Sequence, residues 1–315
     1  MRGLTAAVSA VILVASAVLS GCTPARDLPE MLPPEQVRAL DLCALVPFDE
    51  VKQRHPDLKF NYGSRLVLGP DSCWFQVATG SSVWIQTEGE PLPTWIAKDD
   101  PDEVTASEVP GGVVLTRELN RDPFCDVAAV SDAGLVLDVA LSPATPAEAE
   151  SQCSLANDLA TVALAHAGEE LPTIAWPEDS LYSKDICGFA EQSGLIVAAG
   201  LEGQEIEPNA SARDCDVDRS NDATPFHSLE LTAQLGQPAA ENGARGVTVD
   251  GRDAVLYDQA GVTCELTIDF GNNPVLAEVL GTKTAHENLL VKAAPAEGVS
   301  CSTLVELVEP VLGSL

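Results

Sequence analysis

Cysteines are the residues of this 315-residue chain best suited to covalent chemistry, and there are nine of them. Eight fall into two sets of four. The first set is Cys43 (in DLC), Cys73 (SCWFQV), Cys125 (PFCDVAAV) and Cys153 (QCSLANDLATVAL). The second is Cys187 (DIC), Cys215 (DCDVD), Cys264 (VTCELTIDF) and Cys301 (SCSTLVELVEPVL). Matching cysteines are offset by 139–148 residues and sit in similar local contexts. Such self-similarity at one long period is the mark of a duplicated domain. Four thiols per copy suit two disulfides per copy. Zinc would need short C-x₂₋₄-C pairs, which these spacings do not offer, so no metal centre is expected. Sequential pairing is the expected connectivity: Cys43–Cys73 with Cys125–Cys153, and Cys187–Cys215 with Cys264–Cys301. The alternative joins Cys43 to Cys153 and Cys73 to Cys125.

The ninth cysteine, Cys22, calls for different chemistry. Arg2 and the apolar run of residues 4–20 (LTAAVSAVILVASAVLS) follow the secretory pattern, with Ser20 and Gly21 as small residues before the cysteine. LSGC resembles the bacterial lipobox, in which the thiol is acylated and the signal peptide is cut just before it. Residues 1–21 are therefore expected to be a signal peptide and Cys22 to carry a diacylglyceryl group and a fatty acyl chain such as palmitate. Two or more chains anchor firmly where one would not. The expected location is the extracytoplasmic face of the cell membrane, where paired thiols oxidise.

Other candidate chemistry is sparse. The chain has no G-x-S-x-G, no phosphate-binding P-loop and no dinucleotide fingerprint, and no catalytic residue or cofactor is expected. His286-Glu287 begins like a zincin helix, but Leu290 stands where the second histidine belongs. His55, His166 and His227 share no motif. Asp214, Asp216 and Asp218 match the first three ligands of a calcium loop, yet Arg219 and Pro225 replace the required glycine and glutamate. On a strand the three aspartates would share one solvated face. Of the four tryptophans, Trp176 lies in the linker and is expected to pack against one domain, and three remain. Trp74 and Trp84 fall on neighbouring strand segments and Trp95 lies in the loop beyond; core packing accounts for such residues, and an exposed aromatic patch would bind a ligand or partner.

The elements that must position these residues can be read in outline. Residues 23–40 carry four prolines and read as an extended tether of about 50 Å at ~3.1 Å per residue. The first repeat spans residues 41–166. It opens on a helix at Pro47, then gives strands at 73–78 and 82–88, a surface loop at 88–106, a glycine turn into a strand at 109–118, and a hairpin about residues 131–133. Thr145, Pro146 and Glu148 cap a closing helix that sets Cys153, Ala156, Leu159, Ala160 and Ala163 on one face. Residues 167–184 link it to the second repeat, 185–315, which opens with one helix over DICGFAEQSGLIVAAG and closes with one around Leu304, Leu307 and Val308, limited by Pro310. Segment 271–299 fits no element of the first repeat. The expected fold is α+β: two tandem disulfide-stabilised domains, each an antiparallel sheet covered by an N-terminal and a C-terminal helix.

Composition agrees with two cores of ordinary size. Hydrophobic residues make up 45% and aromatics only 4%, so the cores must be aliphatic. The formal charge is −31; without residues 1–21, which contribute only Arg2, 16 basic face 48 acidic side chains, giving −32. Such a charge repels nucleic acid, which is excluded as a partner. It also disfavours an anionic ligand unless basic residues such as Arg117 and Arg121 gather at the site.

A lipobox, a D-x-C helix start (DLC), Cys73-Trp74-Phe75, VPGG before a strand, Cys125-Asp126-Val127 and a closing Cys153-Ser154-Leu155-Ala156 helix together resemble a large group of actinobacterial lipoproteins of unknown function. The likeness spans residues 41–166 clearly and 185–313 more weakly, Asp216-Val217 replacing the aromatic pair after Cys215. More distantly, it is similar to extracellular sensor domains of actinobacterial kinases. The resemblance implies a non-catalytic envelope lipoprotein that binds an unidentified ligand or protein partner and brings no catalytic motif. A structural or accessory subunit of an envelope complex is the alternative, followed by an enzyme with a site between the domains. Trp74, Trp84 and Trp95, facing the second repeat across an interdomain groove, are the expected contact residues.

Overall fold

Alternating apolar and polar residues make strands here, and the strands assemble into two separate sheets. The computed structural model describes residues 29–56, 60–64, 72–77, 82–88, 104–118, 125–142, 149–168, 170–220, 223–236, 243–259 and 261–315. The first sheet holds β1 (Phe60–Ser64), β2 (Ser72–Val77), β3 (Ser82–Thr87), β4 (Val104–Val109), β5 (Gly112–Glu118), β6 (Cys125–Ser131) and β7 (Val136–Ser142). The second holds β8 (Ile206–Pro208), β9 (Asp214–Val217), β10 (Phe226–Leu235), β11 (Arg245–Val249), β12 (Arg252–Gln259), β13 (Thr263–Asn272) and β14 (His286–Pro295). All pairings are antiparallel. The orders are β1-β2-β3-β7-β6-β5-β4 and β8-β9-β10-β14-β13-β12-β11. Counted from its own first strand, each sheet reads 1-2-3-7-6-5-4. The fold class is α+β.

Helices accompany each sheet. In the first half these are α1 (Pro34–Arg38), α2 (Leu42–Leu45), α3 (Phe48–Arg54) and α4 (Ala149–Ala167). Helix α4 lies on β5, β6 and β7. Its Leu155, Ala156, Leu159, Ala160, Ala163 and Leu164 are at most 1% exposed, the stripe that the 3.6-residue period requires. They meet Val83, Ile85, Val127, Leu137 and Val139 from the sheet. Each such aliphatic side chain contributes about 1.5–3 kcal/mol by burial. Alanines at 160 and 163 let the helix approach closely, so a leucine at either would overpack the layer by about 1–3 kcal/mol. The Thr145 cap lies outside the described residues.

The second half adds α5 (Ile186–Gln192), α6 (Leu195–Ala198), α7 (Pro274–Leu280) and α8 (Ser302–Val308). The expected single opening helix is broken in two. Gly194 takes φ 78°, a left-handed conformation open to glycine, and the chain turns there. Helix α8 ends before Pro310, as expected, with Leu304 and Val308 fully buried. Segment 271–299 proves to be α7 followed by β14, the central strand of the second sheet, paired with both β10 and β13.

Two expectations about connections need correction. Residues 104–106, read as surface loop, begin edge strand β4, which pairs with β5 through the turn at Pro110-Gly111; residues 89–103 lie outside the described set. The tether is not extended over its whole length. Pro33 and Pro34 start α1 rather than a polyproline rod, and Val37 and Leu40 are buried in the first core. The tether is also paired with the linker. Leu40 pairs with Thr173 as a β-bridge, Asp41 N donates to the Pro172 carbonyl (2.8 Å) and Ile174 N to the Ala39 carbonyl (2.7 Å).

Candidate functional site

The D-x-C motif builds the same corner twice. Asp41 caps α2, its carboxylate accepting from Ala44 N at 3.1 Å. Asp185 caps α5, accepting from Gly188 N at 2.7 Å. An aspartate N-cap fixes the first turn and so aims the following cysteine at the second strand of its sheet. In the first sheet Cys43 is bonded to Cys73, with Cα atoms 5.1 Å apart. Cys264 is bonded to Cys301, joining β13 to the start of α8, with Cα atoms 5.2 Å apart. Cys153 is also disulfide-bonded. The side chain of Cys125 and the whole of Cys22 lie outside the described residues.

The expected Cys187–Cys215 bridge is not formed. Both are buried free thiols. They are in hydrogen-bonding contact, and Cys187 Sγ also donates to the Asp214 carbonyl at 3.4 Å. That contact with Cys215, then burial and the nearby Asp185 and Asp214 charges, push the Cys187 thiol far above its ordinary range. A protonated buried thiol is a poor nucleophile and metal ligand. The corner is correct, but its sulfurs remain reduced.

Trp74 and Trp84 stand directly opposite each other on β2 and β3, with Ala140 of β7 next in the row. Their neighbours Cys73, Val83 and Ile85 point into the core at 0–1% exposure, so the tryptophans lie on the other face, half-buried. One step along the strands, Gln86 Nε2 donates to Asp138 Oδ2 at 3.2 Å. Towards β6 this face closes over Ala128, Val130 and Val136, all buried. Two indole rings beside an amide–carboxylate pair form a surface that can stack on an apolar ligand face and hydrogen-bond its rim. Trp95 and Arg121 lie outside the described residues, and Arg117 is half-buried on β5.

The fourth tryptophan gives the most connected polar site, at the junction of the two halves. Trp176 packs on the second core and donates from Nε1 to the Arg38 carbonyl at 2.6 Å. Arg213, only 2% exposed, donates from Nη2 to that same carbonyl (2.6 Å) and from Nε to the Tyr182 carbonyl (2.8 Å). Its guanidinium lies 5.0 Å from the Trp176 ring centre and 5.4 Å from that of Tyr182, and the two tilted rings are themselves 5.7 Å apart, so one cation meets a corner of two aromatic rings. Arg38 in turn donates to the Ser211 carbonyl at 2.7 Å. Ala210 completes the seam by packing in the first core. Close by in sequence, Ser180 Oγ (2.6 Å) and Leu181 N (2.8 Å) donate to Glu287 Oε1, and Asn273 Nδ2 (2.9 Å) to Oε2. Glu287 is 3% exposed and its carboxyl is fully engaged in structure.

The sequence did not single out Arg213, and Glu287 entered it only as part of a broken zincin-like start. Arg213 stands two residues before Cys215, in ASARDCDVD, and reads as an ordinary loop cation. Glu287 belongs to a strand, so the zincin-like helix start is not a helix at all. Of the three aspartates of DCDVD, Asp214 and Asp216 share one strand face as expected, Asp214 half-buried rather than solvated, and Asp218 lies beyond the strand's end. Asp214 and Asp216 face away from the core while Cys215 and Val217 are buried. They join Glu207, Glu230, Lys292 and Glu265 in rows across β8, β9, β10, β14 and β13. Burial first, then Glu230, raises the Asp216 carboxyl above the usual range, and burial raises Asp214 although Thr232 donates to it at 2.8 Å. Burial alone would lower Lys292, but its 3.0 Å contact with Glu230 holds it above its ordinary value. The histidines are dispersed. His55 Nε2 is 2.8 Å from Asp158, His166 3.1 Å from Glu50, and His227 Nδ1 3.0 Å from the Ser220 carbonyl.

No protein-family model matches this chain, and no curated protein matches it. Among solved structures, "Crystal structure of the di-domain ARO/CYC BexL from the BE-7585A biosynthetic pathway" aligns over 90% of this chain and 92% of that chain, at 12% identity and a TM-score of 0.17, too low to carry an argument.

Proposed function

We propose that the chain is a non-catalytic, lipid-anchored protein of the cell envelope, one of the actinobacterial lipoproteins it resembles, which binds a ligand or partner through the first sheet. The observation that carries this reading is the Trp74–Trp84 pair: two tryptophans in direct register, half-buried on the face turned away from the core. The equal strand order of the two sheets supports a duplicated module, each copy covered by an N-terminal and a C-terminal helix, with the second copy serving as scaffold. The Arg213–Trp176 seam supports a fixed arrangement of the copies, so that whatever binds meets a preformed surface.

The test uses the full-length protein in its native membrane. Mass spectrometry of the N-terminal peptide should show an acylated Cys22, and Cys22→Ser should leave an uncut precursor or a released chain. Chemical cross-linking of intact cells should then capture a partner with the parent protein and lose it with Trp74→Ala or Trp84→Ala, at unchanged circular dichroism. Unchanged capture by both tryptophan variants rejects the proposed face.

A further inference from the structure

We propose that the first sheet stands with its β4–β5 and β6–β7 turns towards the bilayer and its opposite end away from it; this rests on lipidation at Cys22. The segment following the anchor is docked rather than free. Leu32 N donates to the Gly134 carbonyl at 3.0 Å, in the β6–β7 turn. Gly134 has φ 88°, and a Cβ there would overlap the Glu30 carbonyl, so the turn is shaped for this strand-like contact. Leu32 packs on the first core, Val37 and Leu40 are buried in it, and Arg38 is held at the seam with the second half. The chain is therefore fixed to the protein from about Glu30 onward.

Covalent geometry limits what remains. From Cys22 to Glu30 the backbone spans at most about 3.6 Å per residue, or roughly 30 Å. A tether free to residue 40 would reach about twice as far. The turn end is defined by neighbours: Asp132 N donates to the Gly111 carbonyl at 2.8 Å, which brings the β4–β5 turn beside the β6–β7 turn. Register places the far end where β4 begins and β7 ends: Val104 pairs with Arg117, and Ser142 with Ser82. A seven-residue strand separates the ends by about 20 Å. Trp84, opposite Ala140, lies nearer the far end, so the proposed binding residues stand farther from the lipid than the turns do. The bilayer-facing end carries exposed Glu30 and Asp132. It stands beside anionic headgroups without docking on them, since like charges repel.

The experiment places a genetically encoded fluorescent amino acid at Asp132 or at Thr105, both exposed, in the full-length lipidated protein. The protein is reconstituted in phosphatidylcholine–phosphatidylglycerol vesicles whose headgroups carry an energy acceptor. Transfer from position 132 should exceed transfer from 105 several-fold. Insertion of 20 Gly/Ser residues after Thr23, adding about 25 Å of mean reach, should cut the transfer at 132 and narrow the difference. Equal or reversed transfer in an acylated protein overturns the orientation. An N-terminal peptide without acyl mass overturns the anchor, and the orientation with it.

Discussion

Closing Cys187 onto Cys215 is the perturbation whose size can be worked most directly. A glutathione redox buffer supplies the oxidant. One thiolate attacks oxidised glutathione, forming a mixed disulfide and releasing one glutathione; the other displaces the second glutathione, so the protein loses two protons and two electrons to the buffer. A loop of about 28 residues then closes, worth about 3.5 kcal/mol by chain entropy if helix α5 and strand β9 hold their places. They are already in place: the thiols touch, and the equivalent Cys43 and Cys73 are bonded in the first sheet. For a half of this size the melting temperature should rise by about 10–15 °C. Timing gives a second readout. Thiolate is the attacking species, and Cys187 is held protonated by its contact with Cys215 and by burial. The reduced chain should close during refolding, whereas the folded protein in the same buffer should stay open much longer. Peptide mapping without reductant, followed by thermal melting beside the Cys187→Ala/Cys215→Ala double variant, reads both. Two alkylatable thiols after oxidative refolding would sink the reasoning, as would a closed bridge with no gain in melting temperature.

Four further outcomes are expected. Arg213→Met removes two charge-assisted hydrogen bonds of about 1.5–3 kcal/mol each, partly offset by the relief of burying a cation; a net loss of about 2–4 kcal/mol and melts in which the halves separate should appear by calorimetry. Gly134→Val introduces a side chain at φ 88° against the Glu30 carbonyl, so residues 29–40 should become sensitive to limited proteolysis while far-ultraviolet circular dichroism holds. Asp216→Asn should stabilise at pH 7: a carboxyl whose folded pKa is raised binds its proton more tightly when folded, so it lowers stability as pH rises from its unfolded value through its folded one. That gain should vanish below about pH 3, where both states are protonated, and melts at the two pH values decide it. Glu287→Gln sets an amide against three donors and should cost about 1–3 kcal/mol by urea denaturation, with no recovery at high salt.

Local periodicity carried much of the fold. CWFQV, SVWIQT, DVAAV and LVLDVA all proclaim strands by alternation, and each is one. The opening of the second repeat was harder because GFAEQSGLIVAAG scans as a continuous apolar helix, and only the left-handed Gly194 divides it. Strand β14 was invisible for a related reason. HENLLVKAAP is apolar on consecutive residues, since a central strand is buried on much of both faces and loses the period of two. Helix α7, between β13 and β14, displaces β14 from the spacing of the first repeat. The seam was beyond local reading. Arg213, Trp176 and Arg38 are 37 to 175 positions apart, and their contacts depend on where the two sheets settle.

The cysteine corners show most clearly where sequence reasoning runs out. Asp41-Leu42-Cys43 and Asp185-Ile186-Cys187 have the same capping chemistry, and it produces the same helix start against the same second strand. Position follows from local hydrogen bonding, which the motif encodes. Oxidation state follows from the access of an oxidant and the proton on the sulfur, which the motif does not encode. In the second corner Cys215 is 0% exposed and Cys187 7%, beside the Asp214 backbone and two carboxylates that disfavour a thiolate. Arg213 lies two residues from Cys215, and Ile186 N binds the Ala212 carbonyl at 2.8 Å. A bond between Cys187 and Cys215 would therefore tie helix α5 to the very strand entry that carries the arginine of the seam. The cysteine corner and the interdomain contact are one mechanical unit, which is why closing the Cys187–Cys215 bridge should tighten the joint between the halves as well as raise the melting temperature of the second sheet.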